Sequence, residues 1–134
     1  MNTNSKQLLA ARIILALLAI TMAAFTLPAY LDPTSNPGLN ALSGESISLG
    51  STAGAFLGRQ LTLIIIALIG AISGQRLLVA IGGFGIGFMN GHDAIFMGLV
   101  GGESMAFAAG AGAVFALLAT LTAIIAIRSS GQSR

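Results

Sequence analysis

Six polar side chains in this otherwise apolar chain could do chemistry, and they fall near one end of its predicted helices. They are Arg59, Gln60, Asn90, His92, Asp93 and Glu103. Carboxylates and imidazoles carry protons, and a guanidinium can hold an anionic or carbonyl group of a ligand. The same residues also fit a structural role, because polar groups at helix ends commonly lie at a membrane interface. We favour the structural role and keep a ligand pocket or proton relay as the functional alternative.

Other kinds of site are poorly supported by the residues that the chain offers. One histidine and no cysteine cannot form a zinc site, and a carboxylate-only site needs more converging acids. The glycine-rich run at residues 82–87 has the texture of a nucleotide-binding loop, but no strand precedes it. Serines and threonines have no nearby histidine base except His92, so nucleophilic catalysis is unsupported. We therefore predict no catalytic residue, no metal and no cofactor, and an enzyme is the least supported class.

The elements that must position the six residues are predicted to be membrane helices. The chain is 55% hydrophobic and 7% charged, whereas a soluble domain carries about 25% charged residues. Four apolar runs, at about residues 8–30, 55–73, 77–97 and 105–127, are each close to the roughly 20 residues that cross a membrane as a helix. We predict one all-α transmembrane domain over residues 1–134, an integral membrane four-helix antiparallel bundle with a long loop at 31–54. A cleaved signal peptide at residues 1–24 is the alternative for the first run, which Arg12 interrupts.

The charges predict the orientation of this bundle. Basic residues fall on one side of the membrane, at Lys6, Arg12, Arg76, Arg128 and Arg134, and the acids Asp32, Glu45, Asp93 and Glu103 fall on the other. Because Lys and Arg are enriched in cytoplasmic segments, both termini are predicted to be cytoplasmic and the 31–54 loop extracytoplasmic. The lipid bilayer is the expected partner. Nucleic acid is not predicted, because no basic cluster is interleaved with aromatic residues.

Arg59 is the one basic residue outside the cytoplasmic set. Counted from the turn near Gly74 at 1.5 Å per residue, Arg59 rises roughly 23 Å and Asp93 roughly 27 Å on the next helix. A charge inside a membrane normally finds a partner, and a guanidinium suits a carboxylate. The sequence therefore predicts an Arg59–Asp93 ion pair near the outer boundary.

Small residues predict how the helices pack. Gly70 and Gly110 lie in stripes of small and polar residues at helical spacing, and Gly83, Gly87 and Gly91 form a separate small face. Such residues let membrane helices approach closely. The Gly83 face is predicted to seat another helix of this chain or a partner protein.

Two segments resemble a known family. The stretch GRQLTLIIIALIGAISGQR (Gly58–Arg76), followed by a glycine-rich helix that ends in HDAIF (His92–Phe96), resembles a family of small four-span bacterial membrane proteins of unknown function, distantly similar to the DoxX-like group. The resemblance covers roughly residues 54–102. It implies that Arg59 opens the second helix and Asp93 closes the third, in a bacterial inner-membrane protein, and it implies no activity.

Three classes of function are compatible with these residues. The one we favour is a non-catalytic accessory or interaction subunit of a membrane complex, with a membrane-protein partner or a homo-oligomer docking on the glycine faces. The alternative is a small transporter, channel or lipid- or quinone-binding bundle that uses the outer polar cluster, and transport would need an oligomer. The third is a membrane enzyme with Asp93, His92 or Glu103 as proton carriers.

Overall fold

The computed structural model describes residues 3–36, 39, 51–101 and 105–129. All regular secondary structure in this part of the chain is helical. Four long helices follow one another: α1 (Thr3–Ala29), α2 (Thr52–Ser73), α3 (Arg76–Val100) and α4 (Ala106–Arg128). A short 3-10 helix, Pro33–Ser35, lies after α1 and is capped by the Asp32 side chain. The predicted all-α class with four helices is confirmed.

Three of the four helices, α1, α2 and α4, are long and apolar enough to cross a membrane. They fit the predicted multi-pass membrane protein. α3 is as long as the others, but it is not among the helices apolar enough to cross, and it contains several glycines and the polar residues Asn90, His92 and Asp93. The composition of α3 therefore does not by itself support the predicted fourth span.

Consecutive helices run antiparallel, as the paired contacts along them show, and α1 also contacts α4. The connection between α2 and α3 has only two residues, Gly74 and Gln75. We call the end of the helices at this connection the turn end, and the end that carries Pro33–Ser35 the loop end. The core between the turn end and the loop end is apolar and includes Leu15, Leu18, Ile64, Val79 and Ile86.

Adjacent glycines on α3 bring two neighbouring helices against its backbone. A Cβ atom added to Gly83 would lie 2.7 Å from the Ala119 carbonyl oxygen on α4. A Cβ atom added to Gly82 would lie 2.8 Å from the Ala67 Cα atom on α2. Real Cβ atoms do not approach so closely, because interiors are already packed at crystal density. α3 therefore fits between α2 and α4 only with hydrogen at these two positions.

The other glycines singled out in the sequence differ in what surrounds them. Added Cβ atoms at Gly70 and Gly87 would lie 2.7 Å from the Leu78 carbonyl carbon and 2.5 Å from Thr120 Oγ1. At Gly91 the nearest atom would be in ordinary contact at 3.5 Å, and at Gly110 nothing lies within 4 Å. The Gly83 and Gly87 face is thus occupied by α4, while Gly110 faces open space.

Two arginines join helices at the turn end. Arg12 on α1 donates from Nε to the Ala71 carbonyl oxygen at 2.7 Å and from Nη2 to the Ile72 carbonyl oxygen at 2.9 Å. Arg76 donates from Nη1 to the Ser129 carbonyl oxygen at 2.6 Å. The last carbonyls of a helix lack partners within the helix and carry partial negative charge. Arg12 therefore caps α2, and Arg76 caps α4.

Candidate functional site

A cavity of about 180 Å³ opens at the loop end, between side chains from all four helices. We call it the Asp93 cavity. Its polar lining consists of Thr26, Asn36, Gln60, Asn90 and Asp93, and its aromatic lining consists of Phe25, Phe56, Phe107 and Phe115. Apolar walls with a few convergent polar groups are typical of small-molecule sites.

Gln60 Oε1 faces the Asn36 amide and the Thr26 hydroxyl in this cavity, and the single hydroxyl proton is shared between Gln60 Oε1 and the Met22 carbonyl oxygen. The Thr26 hydroxyl lies 3.0 Å from Gln60 Oε1, and Asn36 Nδ2 donates to the same oxygen at 3.3 Å. The Thr26 hydroxyl also lies 2.8 Å from the Met22 carbonyl oxygen. Within the described residues, no acceptor bonds to Gln60 Nε2. The amide is therefore fixed through its oxygen, and its N–H groups remain to donate to a bound molecule.

Asn90 and Asp93 supply acceptors to the same cavity. Asn90 Nδ2 donates to the Ile86 carbonyl oxygen at 2.9 Å and lies 3.8 Å from the Met22 sulfur, which leaves its Oδ1 as an acceptor. Asp93 Oδ1 lies 3.1 Å from His92 Nδ1, and the Asp93 side chain is 22% exposed. The cavity thus combines one donor group with two acceptor groups on apolar walls.

A second cavity of about 520 Å³ lies between α2 and α3 and shares Asp93 with the first. We call it the Arg59 groove. Its other lining residues are Arg59, Thr62, Leu63, Gly85, Phe88, Met89 and His92. Charged and polar groups are concentrated toward the loop end of the groove, and apolar side chains continue toward the middle of the helices.

The predicted Arg59–Asp93 ion pair is not formed. No nitrogen of Arg59 lies within 4.0 Å of an Asp93 carboxylate oxygen. Arg59 is exposed and its Cζ atom lies 5.5 Å from the centroid of the Phe56 ring, a cation–π arrangement. Asp93 instead pairs with His92. The physical reason is rotation: similar depth on two helices does not fix the direction in which each side chain leaves its axis.

The structure divides the six sequence-predicted residues between the two cavities. Gln60, Asn90 and Asp93 line the first, Arg59, His92 and Asp93 line the second, and Glu103 lies outside the described residues. Sequence reasoning missed Thr26 and Asn36 as parts of the site. Thr26 is a polar residue within the apolar run of the first helix, a signal that could have revealed it, whereas Asn36 lies after the helix and carries no such signal. Among the described residues, no group of three or more His, Cys, Asp or Glu side chains could hold a metal ion.

No protein-family model, curated protein or solved structure matches the chain.

Proposed function

We propose that the chain is a small integral membrane protein whose Asp93 cavity binds an amphipathic molecule with one ring and one hydroxyl group. The observation that carries this proposal is a cavity of about 180 Å³ that is lined by side chains from all four helices. An engineered apolar cavity of about 150 Å³ in another protein binds benzene. The Asp93 cavity therefore has the volume for a single ring.

The polar lining favours a hydroxyl on that ring. A hydroxyl group donates one hydrogen bond and accepts others. It can donate to the Asp93 carboxylate or Asn90 Oδ1 and accept from Gln60 Nε2, which satisfies groups that have spare bonding capacity within the described residues. None of the described basic side chains lines the cavity, so an anion is disfavoured beside Asp93. Phenols have this chemistry.

Phenol is expected to raise the melting temperature of the detergent-solubilised protein, and toluene is expected to raise it much less. Ligand that binds only the folded state stabilises it by about 1.4 kcal/mol at ten times its Kd. For a domain of this size, we expect a shift of about 4 °C. Thermal unfolding followed by circular dichroism measures both shifts. Equal shifts for the two rings would contradict the role of the polar lining.

A matched pair of substitutions on α4 separates binding from general effects of phenol on the detergent. Ala108 lines the cavity, whereas Ala113 is exposed and lies outside it. Ala108→Phe is expected to fill the cavity and abolish the phenol shift, and Ala113→Phe is expected to retain it. A full phenol shift in Ala108→Phe would rule out the Asp93 cavity as the binding site.

We also propose that all four helices cross a bacterial inner membrane, with both termini in the cytoplasm. α3 has 25 residues, or about 37 Å of helix, and it packs along both α2 and α4. The described residues Lys6, Arg12, Arg76 and Arg128 lie at the turn end, which the bias of basic residues toward the cytoplasm places inside.

Single cysteines test this topology, because the chain contains no cysteine. Thr34, Gln75 and Gly98 are exposed, and Gly98 has open space for a Cβ atom. In intact cells, a membrane-impermeant maleimide is expected to label Thr34→Cys and Gly98→Cys. Labelling of Gln75→Cys is expected only after the inner membrane is opened. Labelling of Gly98→Cys on the same side as Gln75→Cys would show that α3 does not cross.

The accessory-subunit function favoured by the sequence stays a prediction. Its proposed docking residues Gly83 and Gly87 lie against α4 within the chain, and only Gly110 among the glycines of that prediction has open space around it. The Asp93 cavity, with apolar walls and a few convergent polar side chains, is the more specific observation, and for that reason ligand binding is the function that we put forward.

A further inference from the structure

Arg59 carries a charge on a helix that is long and apolar enough to cross a membrane. It lies seven residues after Thr52, which begins α2, and thus roughly 10 Å along the helix. The side chain is exposed, and within the described residues it forms no ion pair; its described contact is with the Phe56 ring. A guanidinium at such a depth is expensive unless an anion or the interface solvates it. In a membrane, the anion available to an outward-facing side chain is a lipid phosphate.

The groove beside Arg59 is polar at one end and apolar along the rest of its length, as a lipid molecule is. Arg59 and Asp93 lie at its loop end, and Leu63 and Phe88 continue the lining toward the middle of the helices. Gly85 has no side chain, and the Leu63 side chain packs against its backbone: a Cβ atom at Gly85 would lie 2.6 Å from Leu63 Cδ2. Its volume of about 520 Å³ falls within the roughly 300–1,000 Å³ of typical ligand sites.

The Arg59 guanidinium and the Asp93 carboxylate in the groove have opposite charges but form no ion pair with each other. No Arg59 nitrogen lies within 4.0 Å of the Asp93 carboxylate, although both side chains line the same cavity. Asp93 Oδ1 is occupied by His92, and Oδ2 has no bonded partner among the described residues. A molecule with a negative and a positive group held a short distance apart would satisfy both side chains at once.

We propose that the Arg59 groove binds a phospholipid whose zwitterionic headgroup carries a primary ammonium. The phosphate binds the Arg59 guanidinium, the ammonium donates to the free oxygen of Asp93, and an acyl chain lies along Leu63 and Phe88. A primary ammonium has three N–H donors, whereas the quaternary ammonium of phosphatidylcholine has none. This site is separate from the one in the proposed function, and the two share only the Asp93 wall.

Native mass spectrometry of the delipidated full-length protein in detergent tests the proposal with dioleoyl lipids that differ only in headgroup. Phosphatidylethanolamine is expected to bind at least tenfold more tightly than phosphatidylcholine, phosphatidylglycerol or diacylglycerol. Equal binding of phosphatidylglycerol would overturn the zwitterionic headgroup, and equal binding of diacylglycerol would overturn any headgroup recognition. Soluble phosphoethanolamine is expected to bind at least tenfold more weakly than the lipid, and equal binding would overturn the role of the acyl chain.

Variants identify the residues and separate the two sites. Arg59→Gln is expected to lower the affinity for phosphatidylethanolamine at least tenfold, whereas Arg59→Lys and the exposed control Lys6→Gln keep it within threefold. Undiminished binding in Arg59→Gln would overturn the proposal. Phenol stabilisation is expected to persist in Arg59→Gln, which also demonstrates a folded variant, and lipid binding is expected to persist in Ala108→Phe. Failure of the phenol experiment therefore leaves the lipid site standing, and the reverse holds as well.

Discussion

Substitution of Gly83 by alanine is expected to destabilise the protein by about 3 kcal/mol, the upper part of the range for overpacked interiors. The added methyl would lie 2.7 Å from the Ala119 carbonyl oxygen and 3.0 Å from the Ala123 amide nitrogen, both of which are backbone atoms. Backbone cannot rotate out of the way, so α3 and α4 must separate. Gly83→Leu is expected to prevent the two helices from packing.

Unfolding by sodium dodecyl sulfate from a mild detergent, followed by circular dichroism, measures the loss. Gly58→Ala and Gly110→Ala are matched controls, because nothing lies within 4 Å of an added Cβ atom at either position. Alanine is the better helix former by about 1 kcal/mol, so these variants are expected to be as stable as the natural chain or more so. A Gly83→Ala variant as stable as the Gly110→Ala control would contradict the close packing of α3 on α4.

Substitution of Arg12 by methionine is expected to destabilise the protein by about 3 kcal/mol. The change removes two hydrogen bonds from a charged donor to the Ala71 and Ile72 carbonyl oxygens. A hydrogen bond from a charged group contributes about 1.5–3 kcal/mol, and the exposed bond to Ile72 contributes the smaller part because water can replace it. Methionine keeps the apolar stem, so packing along α1 changes little. The same unfolding measurement applies, with Lys6→Met as the control because Lys6 is exposed on the same helix.

Arg12→Lys distinguishes geometry from charge in this prediction. Lysine keeps the positive charge, but its single ammonium lacks the planar fork that reaches two acceptors. We expect Arg12→Lys to recover less than half of the stability lost in Arg12→Met. Full recovery would mean that charge alone, through the helix dipole, accounts for the effect of Arg12.

The helices were predictable because their signals are local. Apolar runs of membrane length fix where helices form, and Gly74, which has a positive φ of 69° at the end of α2, interrupts the pattern where the chain turns. Among the described residues, α1 begins at Thr3 rather than near residue 8; Lys6 and Gln7, which have good helix propensity, extend it beyond the apolar run. The sequence also identified the glycine face of α3, but not that α4 occupies it.

The site was predictable only in part. Polar residues are rare in the apolar helices, so Asp93, Gln60 and Asn90 were predicted as site residues. These three residues do line one cavity. The rotation of each helix about its axis depends on side-chain packing across several helices, which depth along a helix does not encode. That is why the Arg59–Asp93 pair was predicted wrongly, and why Thr26 and Asn36 were missed as neighbours of Gln60.

Asp93 lines both the Asp93 cavity and the Arg59 groove. Any occupant that draws this side chain toward one cavity withdraws it from the other. Coupling between two binding sites is reciprocal in free energy, so if a molecule in the Asp93 cavity changes the affinity of the Arg59 groove for a lipid, the lipid changes the affinity of the cavity by the same factor. One shared side chain would thus make the composition of the surrounding membrane an effector of whatever the cavity holds.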